Sequence, residues 1–351
     1  MWTPRPHTAV VFRAESVLLD GIFIFDNVIH VYDMSDANLR ADRPDARQAR
    51  EQLLASGTRG RSGEYNAGLD YAKRWSIEEI YEMVFVQAGT DMAMAQVVPL
   101  FDWYNDYFAP VHAQHAMAAA YPDRVLFCGG ADPIYRGLSD ALEQIDHQVK
   151  DLGASSMKFY NGHLPRSWRC DDEQLAYPLY ERCRTLGITV LQFHKGVPIG
   201  LQNVEDLRPN DLQAPARDFP DLSFVVHHLA LPYFDELVSI AARFPNVYIA
   251  LSGILNYCLI APRRMQDILG RLLLEVGVDK LLWGSEAALL GSPAPYLDAF
   301  LKLEIPETMQ SDYGYPQITR EDRELILGKN FARLMNIDLD QKRTELAAAA
   351  P

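Results

Sequence analysis

Eight short apolar segments of strand length, each bounded by Gly, Pro, Asp or Asn, predict an α/β chain closed into a (β/α)8 TIM barrel. Two further observations support that class. After the first gap the segments start about 24 to 35 residues apart, and a strand, a crossover helix and two loops need ~30 residues. The segments are also apolar on both faces, as parallel strands covered by helices must be. A doubly wound open sheet is the structural alternative.

In chain order the segments are GIFIFDNVIHVYD near residue 22, AMAQVVPLF near 93, VLFCGGADP near 125, SMKFYNG near 156, ITVLQFHKG near 188, SFVVHHLA near 223, VYIALSGIL near 247 and KLLWGSE near 280. Helical patterns fill the gaps: LSDALEQIDHQVKDLG, DDEQLAYPLYERCRTLG, YFDELVSIAARFP and RRMQDILGRLLLEVG. Three of them end on Leu-Gly or Val-Gly, the expected glycine stop. The first gap is about forty residues too long for one crossover. Residues 34–75 are therefore read as an insertion, a lid over the barrel mouth or an oligomer contact, with Tyr65, Leu69, Tyr71 and Trp75 as apolar anchors and a helix near Ser76 to Val86 after it. Residues 338–351 are read as a tail, and the last of them, AAAAP, are expected to be frayed. The 351 residues are read as one domain.

The formal net charge is −14 and no run is strongly basic, which argues against a nucleic-acid partner. Hydrophobic residues make up 48% and charged residues 23%, the balance of a globular chain. Cys128, Cys170, Cys183 and Cys258 form no CxxC pair, so neither a thiolate metal site nor a disulfide scaffold is indicated. No run of ~18 apolar residues offers a membrane span and no signal-peptide pattern opens the chain, so a cytoplasmic location without a membrane partner is expected.

In a barrel of this type the active site lies at the C-terminal ends of the strands. The polar residues there form a coherent set: Asp26, His30 and Asp33 after the first strand, Lys158, Asn161 and His163 at the fourth, His194 at the fifth, His227 and His228 at the sixth and Glu286 at the eighth. Imidazole together with carboxylate is the ligand set of Zn2+, Fe2+ or Mn2+, and a cation would balance carboxylates that are costly to bury alone. There is no phosphate-binding glycine loop and no GxSxG elbow. Trp103, Tyr104 and Tyr160 offer aromatic walls for a small substrate, Asp132 and Asn256 are further mouth residues, and Arg136 or Arg166 could pair a substrate carboxylate.

The ordered motifs LQFHKG, FVVHHLALP, LLWGSEA and LILGKNFARLMNI resemble the amidohydrolase-related barrels over about residues 23–337. That branch contains metal-dependent decarboxylases of aromatic acids, hydratases, and lactone or amide hydrolases. The resemblance implies a divalent metal, one ion or two, held by His30, Asp33, His194, His228 and Glu286. It implies catalytic roles for His228 and Glu286, and second-metal or supporting roles for Asp26, Lys158 and His227. Trp103, Tyr160, Asn161 and His163 would contact substrate. The sequence departs from the family where Tyr32 replaces a histidine and Glu286 an aspartate.

The implied function is metal-assisted hydrolysis or nonoxidative decarboxylation of a small organic, aromatic or related acid, amide or lactone. The alternatives are a dinuclear iron or manganese oxygen-dependent hydroxylase on the same fold, and a catalytically altered partner subunit. Barrels of this kind commonly pair, so a homo- or hetero-oligomer is expected.

Overall fold

The structure, a computed structural model, describes residues 21–58 and 68–348. Eight parallel strands follow one another around a single sheet in the order β1 to β8. They are β1 (Phe25–Ile29), β2 (Met92–Gln96), β3 (Val125–Gly130), β4 (Ser156–Tyr160), β5 (Val190–His194), β6 (Ser223–Val226), β7 (Val247–Ala250) and β8 (Leu281–Leu282). The predicted barrel is therefore present, and the open-sheet alternative is not. Closure between the last strand and the first runs through Asn27 N–H to the Trp283 carbonyl at 3.0 Å and His30 N–H to the Ala287 carbonyl at 2.7 Å. β8 has only two ladder residues because the chain leaves it at once to deliver Glu286 to the mouth.

The amphipathic stretches form helices at Leu138–Lys150, Ala176–Thr185, Phe234–Arg243 and Pro262–Glu275. The predicted stops, Gly153, Gly187 and Gly277, take φ of 73°, 81° and 92°, a region that side chains disfavour. Inside the barrel the strands carry polar as well as apolar side chains: Asn27, Gln96, Ser156 and Gln192 are completely buried.

Two peripheral regions take their order from distant contacts. Most of the terminal segment is a helix, Leu339–Ala348, and residues 349–351, the end of the AAAAP stretch expected to fray, lie outside the described residues. Leu346 packs with Phe23, Phe25 and Met92 under the barrel, and Arg343 donates to the Gly21 carbonyl at 2.7 Å. The burial of one leucine and a tie to the chain near β1 fix a segment whose own composition is nearly all polar or alanine. The insertion is also structured where it is described. Its helix, Ala46–Gly57, and the residues before Trp75 fold back on the loops after β1 and β2. Trp75 N–H donates to the Tyr32 carbonyl and Met34 N–H to the Lys73 carbonyl, both at 2.9 Å. Tyr71 and Trp75 are buried as anchors, Leu69 is exposed, and Tyr65 lies outside the described residues. The helix expected from Ser76 begins there, with Ser76 as a capping-box residue, and continues as a π-turn over Glu82–Gln87. No described helix is long and apolar enough to cross a membrane.

Candidate metal centre

Three imidazoles and one carboxylate meet at the C-terminal mouth. Glu286 reaches it because Gly284 lets the chain pass close to β1: a Cβ there would sit 2.5 Å from Asn27 Oδ1. Glu286 then takes a left-handed φ of 59°. His228 arrives on a turn in which His228, Leu229 and Ala230 have φ of 60°, 52° and 46°, backbone strain of the kind that gathers at functional sites. Gly196 makes room for that turn, since a Cβ on it would lie 2.1 Å from the Ala230 carbonyl carbon.

The hydrogen bonds decide which ring atoms are free. His30 Nδ1 donates to the Gln96 carbonyl at 2.7 Å, and its Nε2 lies 3.6 Å from Glu286 Oε2. His228 Nδ1 bonds the Ser252 carbonyl at 3.0 Å and its Nε2 lies 3.8 Å from Glu286 Oε1. His194 has the opposite polarity: Nε2 donates to the Val197 carbonyl at 3.1 Å, and Nδ1 is buried with no partner. The His194 and His228 rings are 4.7 Å apart. Glu286 Oε1 is likewise buried without a hydrogen bond, while Tyr32 donates to Oε2 at 3.4 Å. Ligating histidines typically pin one ring nitrogen on a carbonyl and offer the other to the ion. The unpartnered atoms of His194 and Glu286, with the Glu286 oxygens 3.6 and 3.8 Å from the His30 and His228 Nε2 atoms, fit a divalent cation.

The charges agree with that fit. Burial, followed by the neighbouring His228, keeps the His194 imidazole far below its usual range, and burial lowers His228 as well. Both rings are thus neutral near pH 7. Burial alone would raise the Glu286 carboxyl, but His228, His30 and Lys158 outweigh it and hold it ionised. Lys158 is buried on β4 in lateral register with Gln192, and burial depresses its ammonium to about 7.

Several predicted site residues lie elsewhere. Asp33 is not a ligand here: its carboxylate bonds Arg74 at 2.7 Å and the Ser35 hydroxyl at 2.6 Å, which ties the insertion to β1. Asp26 supports the centre from behind by accepting Ser285 N–H at 2.9 Å and Val28 N–H at 3.1 Å, and burial pushes it up to about 7. Trp103 is not a substrate wall. It is fully buried, donates to Asp45 at 2.9 Å and packs beside Gly200. Tyr160 does line the centre, stacked on His194 at 4.5 Å. Asn161 is buried and faces the Cys170 thiol, 3.5 Å from its Oδ1. Arg136 lies over the Phe101 ring, Arg166 is exposed, and Asn256 is buried with its Oδ1 unpartnered.

His227 belongs to the one trio among the described residues, with His228 and Glu286, whose ligand atoms all lie within 4.8 Å of one another. Both its nitrogens are nevertheless committed, Nδ1 to Ser252 Oγ at 2.8 Å and Nε2 to Gln192 Oε1 at 2.7 Å. It has no lone pair to give.

His163 serves the scaffold rather than the substrate. It sits between Asp102, 3.0 Å from Nδ1, and Asp132, 3.4 Å from Nε2, and Tyr135 and Leu164 N–H complete the Asp102 hydrogen bonds. Burial opposes a charged ring, but the Asp102 hydrogen bond and the Asp132 charge outweigh it and raise His163 above 6.5. Asp102 is depressed below 3.8, because the same pairing outweighs its burial. A raised histidine stabilises fully below its unfolded value and loses that contribution as pH rises through the folded one; a depressed aspartate loses its contribution as pH falls. The melting-temperature gap between wild type and His163→Gln is therefore largest between about pH 4 and 6.5 and narrows toward pH 9. A gap that widens with pH would contradict the pairing.

Sequence reasoning missed Gln96, Gln192 and Ser252, which organise the rings from below. The available signal was a carboxamide inside otherwise apolar strand runs, since a buried amide must find partners.

A protein-family model described as amidohydrolase matches residues 58–337. Protein fluG of Emericella nidulans is 26% identical over 153 residues, which is 42% of this chain and 17% of fluG. The match thus spans less than a fifth of that relative. An uncharacterized TIM-barrel protein of Bordetella bronchiseptica superimposes with a TM-score of 0.63 at 23% identity, covering 90% of this chain and 99% of its own. A point mutant of the 5-carboxyvanillate decarboxylase LigW2 of Novosphingobium aromaticivorans, with bound manganese, does so with a TM-score of 0.59 at 12% identity, covering 90% and 98%. These likenesses show the fold.

Proposed function

The chain belongs to the amidohydrolase family, and from that premise we propose that it is a metal-dependent enzyme cleaving a small organic acid, by nonoxidative decarboxylation of an aromatic hydroxy acid in the favoured form. The observation that carries the metal dependence is Glu286 set 3.6 Å from His30 Nε2 and 3.8 Å from His228 Nε2, with the His194 ring beside His228 and with His194 Nδ1 and Glu286 Oε1 both buried without a partner. A divalent ion bound there, Zn2+, Mn2+ or Fe2+, would polarise a substrate oxygen or acidify a bound water.

The chain's own groups fit a flat acid. Tyr32, Phe108 and Tyr104 form a continuous aromatic stack with ring separations of 4.4 and 4.7 Å, and Tyr160 covers His194. His228 cannot both ligate and accept a proton on Nε2, because its Nδ1 is held by Ser252. Proton movement therefore falls to Lys158, poised to carry or release a proton near neutrality, and to the Tyr32 hydroxyl, which burial keeps protonated. The donor set suits one ion. The dinuclear hydroxylase reading needs more carboxylates: Asp33 is engaged with Arg74, and Asp26 spends Oδ1 on the Val28 and Ser285 N–H groups, leaving only its buried Oδ2 unpartnered. Hydrolysis of an amide or lactone is the second reading, favoured by the description of the matching family.

Metal-loaded protein is expected to release CO2 from one or more members of a hydroxybenzoate panel. Acid formed from lactones or amides without CO2 would instead establish hydrolysis. No turnover of any member would remove both.

A further inference from the structure

A chain of hydrogen bonds crosses the barrel interior beneath the metal centre, and its polarity can be read from one end. The Asn27 backbone carbonyl can only accept, so the Gln96 group 2.5 Å from it is the amide nitrogen. That nitrogen also donates to Gln192 Oε1 at 2.8 Å. His227 Nε2 lies 2.7 Å from the same oxygen and must therefore carry a proton. The His227 ring is fully buried between an amide and a hydroxyl, with no carboxylate on either nitrogen, so it is neutral and its Nδ1 is an acceptor. Ser252 Oγ, 2.8 Å away, donates to it.

The consequence falls on His228. Ser252 has one hydroxyl proton, and His227 takes it. Toward His228 Nδ1, 3.4 Å away, the serine oxygen can then only accept, as does the Ser252 carbonyl at 3.0 Å. Both acceptors require the His228 proton on Nδ1 and leave Nε2 bare toward Glu286. Without His227 the hydroxyl is free to turn and donate to His228 Nδ1. Part of the His228 population would then carry its proton on Nε2, where a metal needs a lone pair, in competition with the pull of the Ser252 carbonyl on Nδ1.

The geometry assigns His227 the part of a positioning residue: acting through Ser252, it fixes the His228 tautomer that a metal requires. This rests on the metal centre proposed above. His227 and Ser252 are both fully buried, so the arrangement is shielded from competing water.

Two measurements test it. In metal-free wild type, long-range 15N–1H spectra of labelled histidines are expected to show His227 protonated on Nε2 and His228 on Nδ1; a His228 proton on Nε2 would overturn the assignment. In titrations with Mn2+, His227→Leu is expected to bind roughly 10–100-fold more weakly, the usual cost of losing a supporting partner. Its His228 signal should shift toward the Nε2–H form. The double variant His227→Leu with Ser252→Ala should recover most of that affinity, because the misdirected hydroxyl is gone and the carbonyl remains. A His227→Leu variant that binds like wild type, or a double variant no better than the single, would overturn the inference. Wild type that binds no Mn2+ would overturn the metal reading instead, while the tautomer spectrum still decides the hydrogen-bond assignment.

Discussion

Glu286→Gln binds Mn2+ or Zn2+ at least roughly 100-fold more weakly than wild type and loses turnover with it, because a ligand matters more than the supporting contacts whose loss costs ~10–100-fold. The substitution preserves volume and removes only charge. In wild type, three imidazole rings face an anion, and Oε1 has no hydrogen bond to offset its burial. With glutamine the anion is gone, and one of the two terminal atoms becomes an N–H2 group that repels a cation. His194→Ala is expected to act in the same direction, since Nδ1 of His194 is the other buried donor without a partner. Calorimetric titration measures both, with circular dichroism as the folding control. Wild-type affinity in a folded Glu286→Gln protein would remove Glu286 from the centre.

The largest stability effect is expected at Asp211. Lys195, immediately after His194, is completely buried, and its ammonium bonds Asp211 Oδ2 at 2.8 Å. The same oxygen accepts Cys170 N–H at 2.9 Å. Asp211→Leu leaves a buried ammonium with no counter-charge, which costs ~3–5 kcal/mol. Combining it with Lys195→Met removes the charge as well and should recover most of the loss, because an apolar pair of similar volume often matches a buried ion pair. Urea denaturation of the two variants checks this. Asp211→Leu at wild-type stability, or a double variant less stable than the single, would contradict the pairing.

The barrel was legible because its signals are local. Apolar runs of strand length, their spacing and the glycine stops each depend on residues close in the chain. His30, His194, His228 and Glu286 could also be placed, since the end of a strand defines the mouth. What could not be read was which polar residues compete for one another. Asp33 looks like a ligand three residues after His30, yet its partner Arg74 comes 41 residues later, at the end of an insertion. Trp103 looks like a wall until Asp45 takes its indole, and His163 like a contact until Asp102, 61 residues away, encloses it. The helix over Leu339–Ala348 was not legible for the same reason, its order coming from Leu346 and Arg343 reaching residues near the start of the barrel. His227 and His228 are neighbours of identical chemistry. Only the direction of the strand and the position of Gln192 separate a residue turned into the barrel from one turned toward Glu286 at the mouth.

Elemental analysis of protein purified without added metal tests the central claim most directly. The account predicts one divalent transition-metal ion per chain, absent from His194→Ala prepared in parallel. Two ions per chain, or an ion content unchanged by His194→Ala, would contradict it.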